Sequence, residues 1–524
     1  MTLSLSIWNW LLALSPVLVV VVLMLVLRWG GSRAGGAGWF AAVLVSLLFF
    51  GANFELLAVA QVKAILLSLD VLFIIWSALL LFNIAREAGA IRMIARALPG
   101  LTGDRVMQSL LIGWLMVSFL QGIGGFGVPV AVVAPLLVGL GFAPVQAVVM
   151  ASIGHGWGVT FGSLASSFQS LMAVTGLPGY VLAPMSVLLL GIACVPSGLL
   201  VAVIGAGWRG LKRALFPVLL ISVVMGVVQY GLVINGLWTL GTTGASLVGL
   251  GVMFIWMRWV PTEVQQPDVR EAVSMDGGQG KSLWMSLFAY GLMVLLAFAI
   301  NLIEPVENFL SQFRLTLQFP ETQTAYGWAI PAGAGRVINL FAHPGAILLY
   351  TCAIAYVVYR WTGTIRKGRL GVIIKEVFQS GVKSSLGILA MVGVASIMLH
   401  SGMTYLLAEG LSNRVSVNLY PLIAPFIGAL GAFITGSNNN SNVLFAVLQQ
   451  TTAELLGLSV PLILAAQTAG GALGSVLAPA KVIVGCSTVG LAGEEGRVMR
   501  KMIGYGAITI GTVSLAALII HLLR

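Results

Sequence analysis

Long, unbroken apolar runs, many of them about 20 residues, follow one another along the chain and are separated by short polar stretches. An α-helix of that length crosses the hydrocarbon core of a bilayer, so each run predicts a membrane-spanning helix. The continuity of the runs excludes a transmembrane β-barrel, whose strands alternate between apolar and polar residues. The pattern therefore predicts an all-α polytopic membrane protein with about 12 transmembrane helices. The predicted spans are residues 7–28, 37–59, 64–84, 144–176, 180–206, 214–235, 238–257, 282–302, 344–360, 384–401, 461–492 and 502–522.

Two further apolar segments, 105–141 and 419–457, are too long for one clean span, and each contains a polar break near its middle. Backbone that leaves the helical conformation at membrane depth is tolerated only where it is buried in protein or lines a wet cavity. We therefore interpret both segments as re-entrant hairpins, which enter and leave the membrane on one side. A pair of interrupted segments in corresponding positions is the best sequence indication of a transporter's binding site.

The order of features after each hairpin is the same in both halves of the chain. Each hairpin is followed by a long span rich in Gly, Ser and Thr, 144–176 or 461–492, which predicts a broken helix. The first hairpin opens inward and the second outward in this arrangement, so we predict the inverted repeat of an alternating-access transporter fold. Chance similarity between Gly-rich membrane sequences is the alternative. The predicted division is 1–206 for the first half with hairpin 105–141, 207–281 for linker spans and an inner loop, and 282–524 for the second half with hairpin 419–457.

The composition supports the membrane assignment, because only 8% of residues are charged and the mean hydropathy is +1.03. A net charge of +11 suggests nucleic-acid binding in a soluble protein. Here most of the 27 lysine and arginine residues fall in loops that lie inside if the N-terminus lies outside. The positive charge therefore indicates topology, and we expect the lipid bilayer, not nucleic acid, as a partner. Residues 303–343 form a longer outer loop, expected to be a structured cap.

Enzymatic signatures are missing from the sequence. The three cysteines lie inside apolar runs without metal-ligand spacing, and there is no zinc-protease, nucleophile-elbow or phosphate-loop motif. We therefore expect no enzyme activity, no cofactor and no metal.

The break in the first hairpin is rich in glycine. Gly124, Gly125 and Gly127 follow Gln121 and let backbone N–H groups approach a ligand closely, which suits a cradle for a carboxylate. The alternative is close helix packing, for which small residues are also typical in membranes.

The break in the second hairpin is a run of six polar side chains, 437–442, between apolar runs. Asn side chains offer both a donor and an acceptor and tolerate unusual backbone angles. We favour Ser437, Asn438, Ser441 and Asn442 as substrate ligands; the alternative is a solvated loop.

Three ionisable residues lie inside predicted spans, where each is costly. Lys481 follows Pro479 in span 461–492 and is expected to bind the substrate anion, to replace a coupling cation, or to extend to an interface. His155 and Asp70 are candidates for proton coupling. Their alternatives are a neutral hydrogen-bonding histidine and an aspartate paired within the bundle.

These motifs resemble the bacterial lactate permease family over most of the chain. The resemblance is carried by the residue runs 124–130 and 136–142 in the first half, and by 435–437, 441–446, 448–449, 451–453, 489–491 and 493–494 in the second. It implies a multi-pass protein of the bacterial cytoplasmic (inner) membrane that carries L-lactate, D-lactate or glycolate, with protons as the usual partner.

Two departures from the family pattern affect the coupling mechanism. The resemblance implies a glutamate where this chain has Gln121 and an aspartate where it has Asn438. A third departure is Lys481, where an uncharged polar residue is the family pattern. We therefore predict secondary transport of small monocarboxylates by alternating access. Proton symport is implied by the family, and here we expect the coupling to be weakened, absent, or moved to His155 or Asp70. The alternatives are a uniporter or exchanger for another small organic anion and a passive anion channel.

Overall fold

The computed structural model describes residues 3–27, 29–89, 102–125, 127–259, 283–491 and 494–524. Several residues of the sequence argument lie outside this range: Arg28, Arg92, Arg96, Arg270 and Lys281 of the predicted inner loops, Phe126 of the first break and Gly493 of the last motif. Nineteen helices are numbered here: α1 Ile7–Leu25, α2 Gly31–Phe49, α3 Phe54–Glu87, α4 Arg105–Ile123, α5 Val128–Gly139, α6 Pro144–Gly154, α7 Ser166–Thr175, α8 Gly179–Ile234, α9 Gly241–Trp259, α10 Leu283–Leu302, α11 Glu304–Leu310, α12 Pro344–Trp361, α13 Arg369–His400, α14 Met403–Ser412, α15 Tyr420–Thr435, α16 Asn438–Leu455, α17 Val460–Ser475, α18 Pro479–Thr488 and α19 Glu495–Leu522.

The protein is an all-α polytopic membrane protein, as predicted. Among the described residues, nine helices are long and apolar enough to cross a membrane. One of them, α8, is 56 residues long and changes direction at Gly207, where φ is +71°, so it accommodates two predicted spans. The total of about 12 crossings stays a prediction.

The boundary between the second and third predicted spans is wrong by up to ten residues. The prediction placed it near residues 60–63, whereas α2 ends at Phe49 and α3 begins at Phe54. Gly51 takes a left-handed φ of +65°, and the Asn53 side chain caps α3 by accepting from the Leu56 N–H at 2.8 Å. Gly followed closely by Asn is a recognisable helix-break signal, which the continuous apolar character of 37–59 concealed.

Each predicted hairpin is a pair of packed helices joined at a break. In the first, the Arg105 guanidinium donates to the carbonyl oxygens of Leu140 at 2.7 Å and Gly141 at 2.9 Å, so the two ends of 105–141 meet. In the second, Gln449 on α16 donates to the Ala424 carbonyl on α15 at 3.1 Å.

Both spans that follow the hairpins are broken helices. The first consists of α6, a 3₁₀ turn at Gly156–Gly158, a non-helical stretch of bends and turns at 159–165, and α7. The second consists of α17 and α18, which are separated by residues 476–478. The helical hydrogen bonds are therefore interrupted next to each hairpin tip, and backbone N–H and C=O groups there lack their usual helical partners.

Residues 303–343, the predicted outer loop, form a structured cap. It contains α11 and three two-stranded antiparallel ribbons, which pair β1 with β6, β2 with β5 and β3 with β4. The strands are β1 Arg314–Leu315, β2 Gln318–Phe319, β3 Thr322–Gln323, β4 Ala329–Ile330, β5 Gly333–Ala334 and β6 Ile338–Asn339. The main hydrophobic core surrounds α4, α6, α8 and α17, and a second core joins α3, α12 and α13.

Candidate functional site

A cavity of about 460 Å³ lies where the two hairpin tips meet the broken helices. Of the residues singled out in the sequence, it is lined by Gln121, Ser437, Asn438 and Lys481. The structure therefore brings together residues that are up to 360 positions apart in the chain. The remaining lining is Gly30, Gly31, Ser32, Val159, Ser163, Ser166, Ser167, Gly387, Ile388, Thr435, Gly436, Asn439 and Asn440.

The tip of the first hairpin lies against a strained turn of the broken helix. Gln121 and Gly122 accept backbone N–H bonds from Ser163 and Leu164 at 2.8 and 3.2 Å. Ser163, Leu164 and Ala165 all have positive φ, at +48°, +57° and +60°. Gln121 Nε2 also reaches Ser163 Oγ at 3.4 Å. These hydrogen bonds hold Gln121 and Ser163 at the wall of the cavity.

The three glycines of the first break have different surroundings. A Cβ on Gly125 would lie 1.7 Å from Ser163 Oγ, so only glycine allows this approach. Gly124 faces Phe82 and lines a separate cavity. Gly127 has a φ of +87° and precedes α5, and a Cβ there would meet only the Val484 side chain, at 4.0 Å. None of the three glycines therefore lines the central cavity, contrary to the predicted carboxylate site.

The second break turns directly into α16, which begins at Asn438. Asn438 Nδ2 donates to Thr160 Oγ1 and to the Thr468 carbonyl, both at 3.2 Å. Ser167 Oγ donates to Asn439 Oδ1 at 2.5 Å. Hydrogen bonds from the second half of the chain therefore hold the unwound segment of the first half.

Two of the four favoured residues in the polar run do not line the cavity. Ser441 Oγ donates to the Gly428 carbonyl at 2.7 Å, and Asn442 Nδ2 donates to the Ser167 carbonyl at 3.0 Å; both residues are fully buried. Asn439 and Asn440 line it instead. Both side chains lie further along α16, which begins at Asn438, and they hydrogen-bond to neighbouring helices instead of facing the cavity. The position of the helix start decides which residues of the run line the cavity, and the sequence of the run does not indicate it.

Lys481 lies in the first turn of α18 and its Nζ donates to Ser475 Oγ at 3.3 Å. It is half-buried and is the one charged side chain among the described residues that line the cavity. No described carboxylate forms an ion pair with it. The cavity is therefore a polar, cationic chamber.

The two coupling candidates lie away from this cavity. His155 is 1% exposed, and its Nδ1 lies 2.7 Å from the Ala151 carbonyl oxygen at the end of α6. Asp70 pairs with Arg336 at 2.8 Å and with His343 at 3.0 Å, both from the segment that ends the cap. Asp70 is therefore paired with the cap and not within the helix bundle, and its role in coupling stays a prediction.

Several lining residues were missed in the sequence. Ser163 lies in the break of the first broken helix and Ser166 and Ser167 in the first turn of α7, and serines next to a predicted break were the available signal. Among the described residues, no group of three His, Cys, Asp or Glu side chains could hold a metal ion.

A polar chamber with an unpaired cation, enclosed by interrupted helices in a multi-pass membrane protein, defines the class of membrane transport proteins. The sequence profile of the L-lactate permease family matches residues 9–524. The chain therefore belongs to the L-lactate permease family, and it is a transporter and not an enzyme.

Relatives of similar length carry this name. The L-lactate permease of Halalkalibacterium halodurans is 27% identical over 525 residues, which cover 97% of this chain and 96% of the relative. The L-lactate permease of Escherichia coli strain K12 is 28% identical over 539 residues, covering 96% and 94%. The glycolate permease GlcA of the same strain is 26% identical over 542 residues, covering 97% and 95%.

Among solved structures, the YdaH transporter of Alcanivorax borkumensis is similar over 98% of this chain and 97% of its own, with a TM-score of 0.47 and 15% identity.

Proposed function

We propose that the protein carries small monocarboxylates of the lactate and glycolate type across the bacterial cytoplasmic membrane by alternating access. The observation that carries this proposal is Lys481, a cation without a described acidic partner in a cavity of about 460 Å³. An ammonium group held away from water is costly unless an anion compensates it. The substrate carboxylate supplies that compensation.

The other lining groups suit a 2-hydroxy acid. The Ser166 hydroxyl lines the chamber and can donate to a carboxylate, whereas the Ser167 hydroxyl already donates to Asn439 Oδ1. Asn440 is 8% exposed, and its Oδ1 has no hydrogen-bond partner. This acceptor suits the hydroxyl group that lactate and glycolate carry beside the carboxylate, and an unfilled buried acceptor costs free energy until it is filled.

Three observations support an inverted repeat with re-entrant hairpins. The ends of the first hairpin meet at Arg105, as expected of a segment that returns to one side. In each half, a glycine of the following helix touches the hairpin backbone: a Cβ on Gly154 would lie 1.9 Å from the Gly113 carbonyl oxygen, and a Cβ on Gly470 would lie 1.9 Å from that of Pro425. The change of direction at Gly207 coincides with the predicted end of the first half.

The cavity extends to the beginning of α2, where Gly30, Gly31 and Ser32 form part of its wall. The charge distribution of the sequence puts this loop on the inner side. We therefore assign the described conformation to an inward-opening state.

The described residues that line the cavity include no Asp or Glu. A transporter that carries protons with its anion needs a group there that binds a proton, and Gln121 and Asn438 do not. We therefore propose weak proton coupling, with Lys481 as a fixed counter-ion to the substrate.

The test is uptake of labelled L-lactate into liposomes that contain the purified protein, with and without an inward proton gradient. Saturable uptake with counterflow supports a carrier, and indifference to the gradient supports weak coupling. Non-saturating flux without counterflow would identify a passive channel instead.

Restoring the two carboxylates, in the double variant Gln121→Glu, Asn438→Asp, is expected to make uptake depend on pH. An aspartate at 438 would face the Thr468 carbonyl oxygen, which the present Nδ2 contacts at 3.2 Å and which only a protonated carboxyl can bond. The measurement is the initial uptake rate across pH 5 to 8, roughly the range where carboxyl groups in apolar sites titrate. The exposed Asn413→Asp variant is the control, and an unchanged pH profile in the double variant would rule out these positions as coupling sites.

A further inference from the structure

A second cavity, of about 580 Å³, lies between α3, α7, the first turn of α8 and the end of the cap. Its polar lining includes Asp70, Gln169, Trp238, Arg336 and His343. None of these residues lines the central cavity, so this second chamber is a separate feature of the molecule.

Two hydrogen-bond donors in this chamber have no partner. Gln169 is 3% exposed, and its Nε2 atom is buried and unbonded. The indole Nε1 atom of Trp238 is likewise buried and has no hydrogen-bond partner among the described residues. Buried donors are almost always satisfied in folded proteins, so these two require an acceptor, which is either ordered water or a ligand in the cavity that both residues line.

Arg336 adds donors and charge. Its Nε atom donates to Asp70 Oδ2 at 2.8 Å, while its terminal Nη groups have no hydrogen-bond partner among the described residues. Asp70 also contacts His343 Nε2 at 3.0 Å, so the acidic side chain is already engaged on both oxygens. The remaining guanidinium N–H groups form a fork that matches a planar carboxylate.

We propose that the second cavity binds a carboxylate anion, held by the side-chain N–H groups of Gln169, Trp238 and Arg336, as an access site for the substrate on the cap side of the protein. This proposal rests on the proposed function, because it takes the transported monocarboxylate as the ligand.

The short helix α7 connects the two cavities. Ser166 lines the central cavity and Gln169 lines the second, three residues later on the same helix face. Three residues correspond to about 4.5 Å along a helix axis. The lining residues of the two cavities are therefore within one helical turn of each other on α7.

The test measures equilibrium binding of radiolabelled L-lactate to the full-length protein in lipid nanodiscs. Two bound lactates per chain are expected. Gln169→Met and Trp238→Phe each remove one N–H group while keeping side-chain bulk, and each is expected to weaken one of the two sites about tenfold. Lys481→Met is expected to remove the other site and leave the cap-side site intact.

The same two variants separate binding from a merely structural role. In liposome uptake at low lactate, each is expected to raise KM with the maximal rate retained, because the central cavity is untouched. Gln312→Met and Trp208→Phe, which change exposed residues of the same types, are the matched controls. If Gln169→Met fails to fold, lactate binding and uptake are measured with Trp238→Phe and Arg336→Lys instead.

The outcomes are distinguishable. One lactate per chain, lost entirely in Lys481→Met and unaffected by Gln169→Met and Trp238→Phe, would overturn the access site and leave the proposed function standing. No lactate binding in the wild-type protein would overturn both proposals.

Discussion

Replacing Lys481 with methionine is expected to abolish saturable L-lactate uptake, lowering the initial rate at low substrate by at least about a hundredfold. Lys481 is the only charged side chain among the described residues that line the central cavity, so the variant removes the counter-ion of the bound carboxylate. Methionine retains a similar volume, so packing against Ser475 and the α18 backbone changes little. The measurement is uptake into liposomes reconstituted at equal protein density.

The Lys481→Met variant is also expected to keep its thermal stability. Removing a half-buried cation that has no acidic partner among the described residues is expected to leave the melting temperature unchanged or higher. Lys481→Arg keeps the charge and should keep measurable uptake, while the exposed Lys212→Met should behave as wild type. Lactate uptake by Lys481→Met with an unchanged KM would show that the lysine does not bind the substrate.

The second large effect concerns folding. Gly154→Ala and Gly470→Ala are each expected to prevent assembly of the folded protein, because the new methyl group would lie 1.9 Å from a backbone carbonyl oxygen of the neighbouring hairpin. Backbone cannot yield as a flexible side chain can, so the cost is about 3 kcal/mol or more. The measurement is the yield and melting temperature of the purified protein.

Glycines in open surroundings provide the control. Gly191 and Gly226 lie within α8, and a Cβ at either position would have no atom within 4 Å. Their alanine variants are expected to be neutral or stabilising by up to about 1 kcal/mol. If Gly154→Ala and Gly470→Ala have the same melting temperature as these controls, the close helix contacts described for the two halves are incorrect.

The sequence identified the regions that meet at the central cavity, because polar breaks in apolar segments have few stable locations in a membrane protein. Gln121, Ser437, Asn438 and Lys481 all line it. Assigning individual side chains was less successful. Asn440 lines the cavity and Asn442 does not, and this depends on where α16 begins, which a run of six polar residues does not indicate.

The position of Asp70 could not be predicted for a different reason. Its partner Arg336 is 266 residues away along the chain, in a cap of two-residue strands without hydrophobic periodicity. Only the folded arrangement of the cap on α3 brings the two charges together. The α2–α3 boundary, by contrast, was available in principle from Gly51 and Asn53.

The left-handed turn at Ser163, Leu164 and Ala165 has an energetic consequence for the working cycle. Each non-glycine residue in this conformation costs about 1 kcal/mol or more, so the turn stores roughly 3 kcal/mol. The hydrogen bonds to Gln121 and Gly122 hold it in place, so in the proposed alternating-access cycle a withdrawal of the hairpin tip would release this energy. A free-energy contribution of that size changes the ratio of two conformations by about a hundredfold. The turn would therefore offset part of the free energy needed to break the contacts at the hairpin tip.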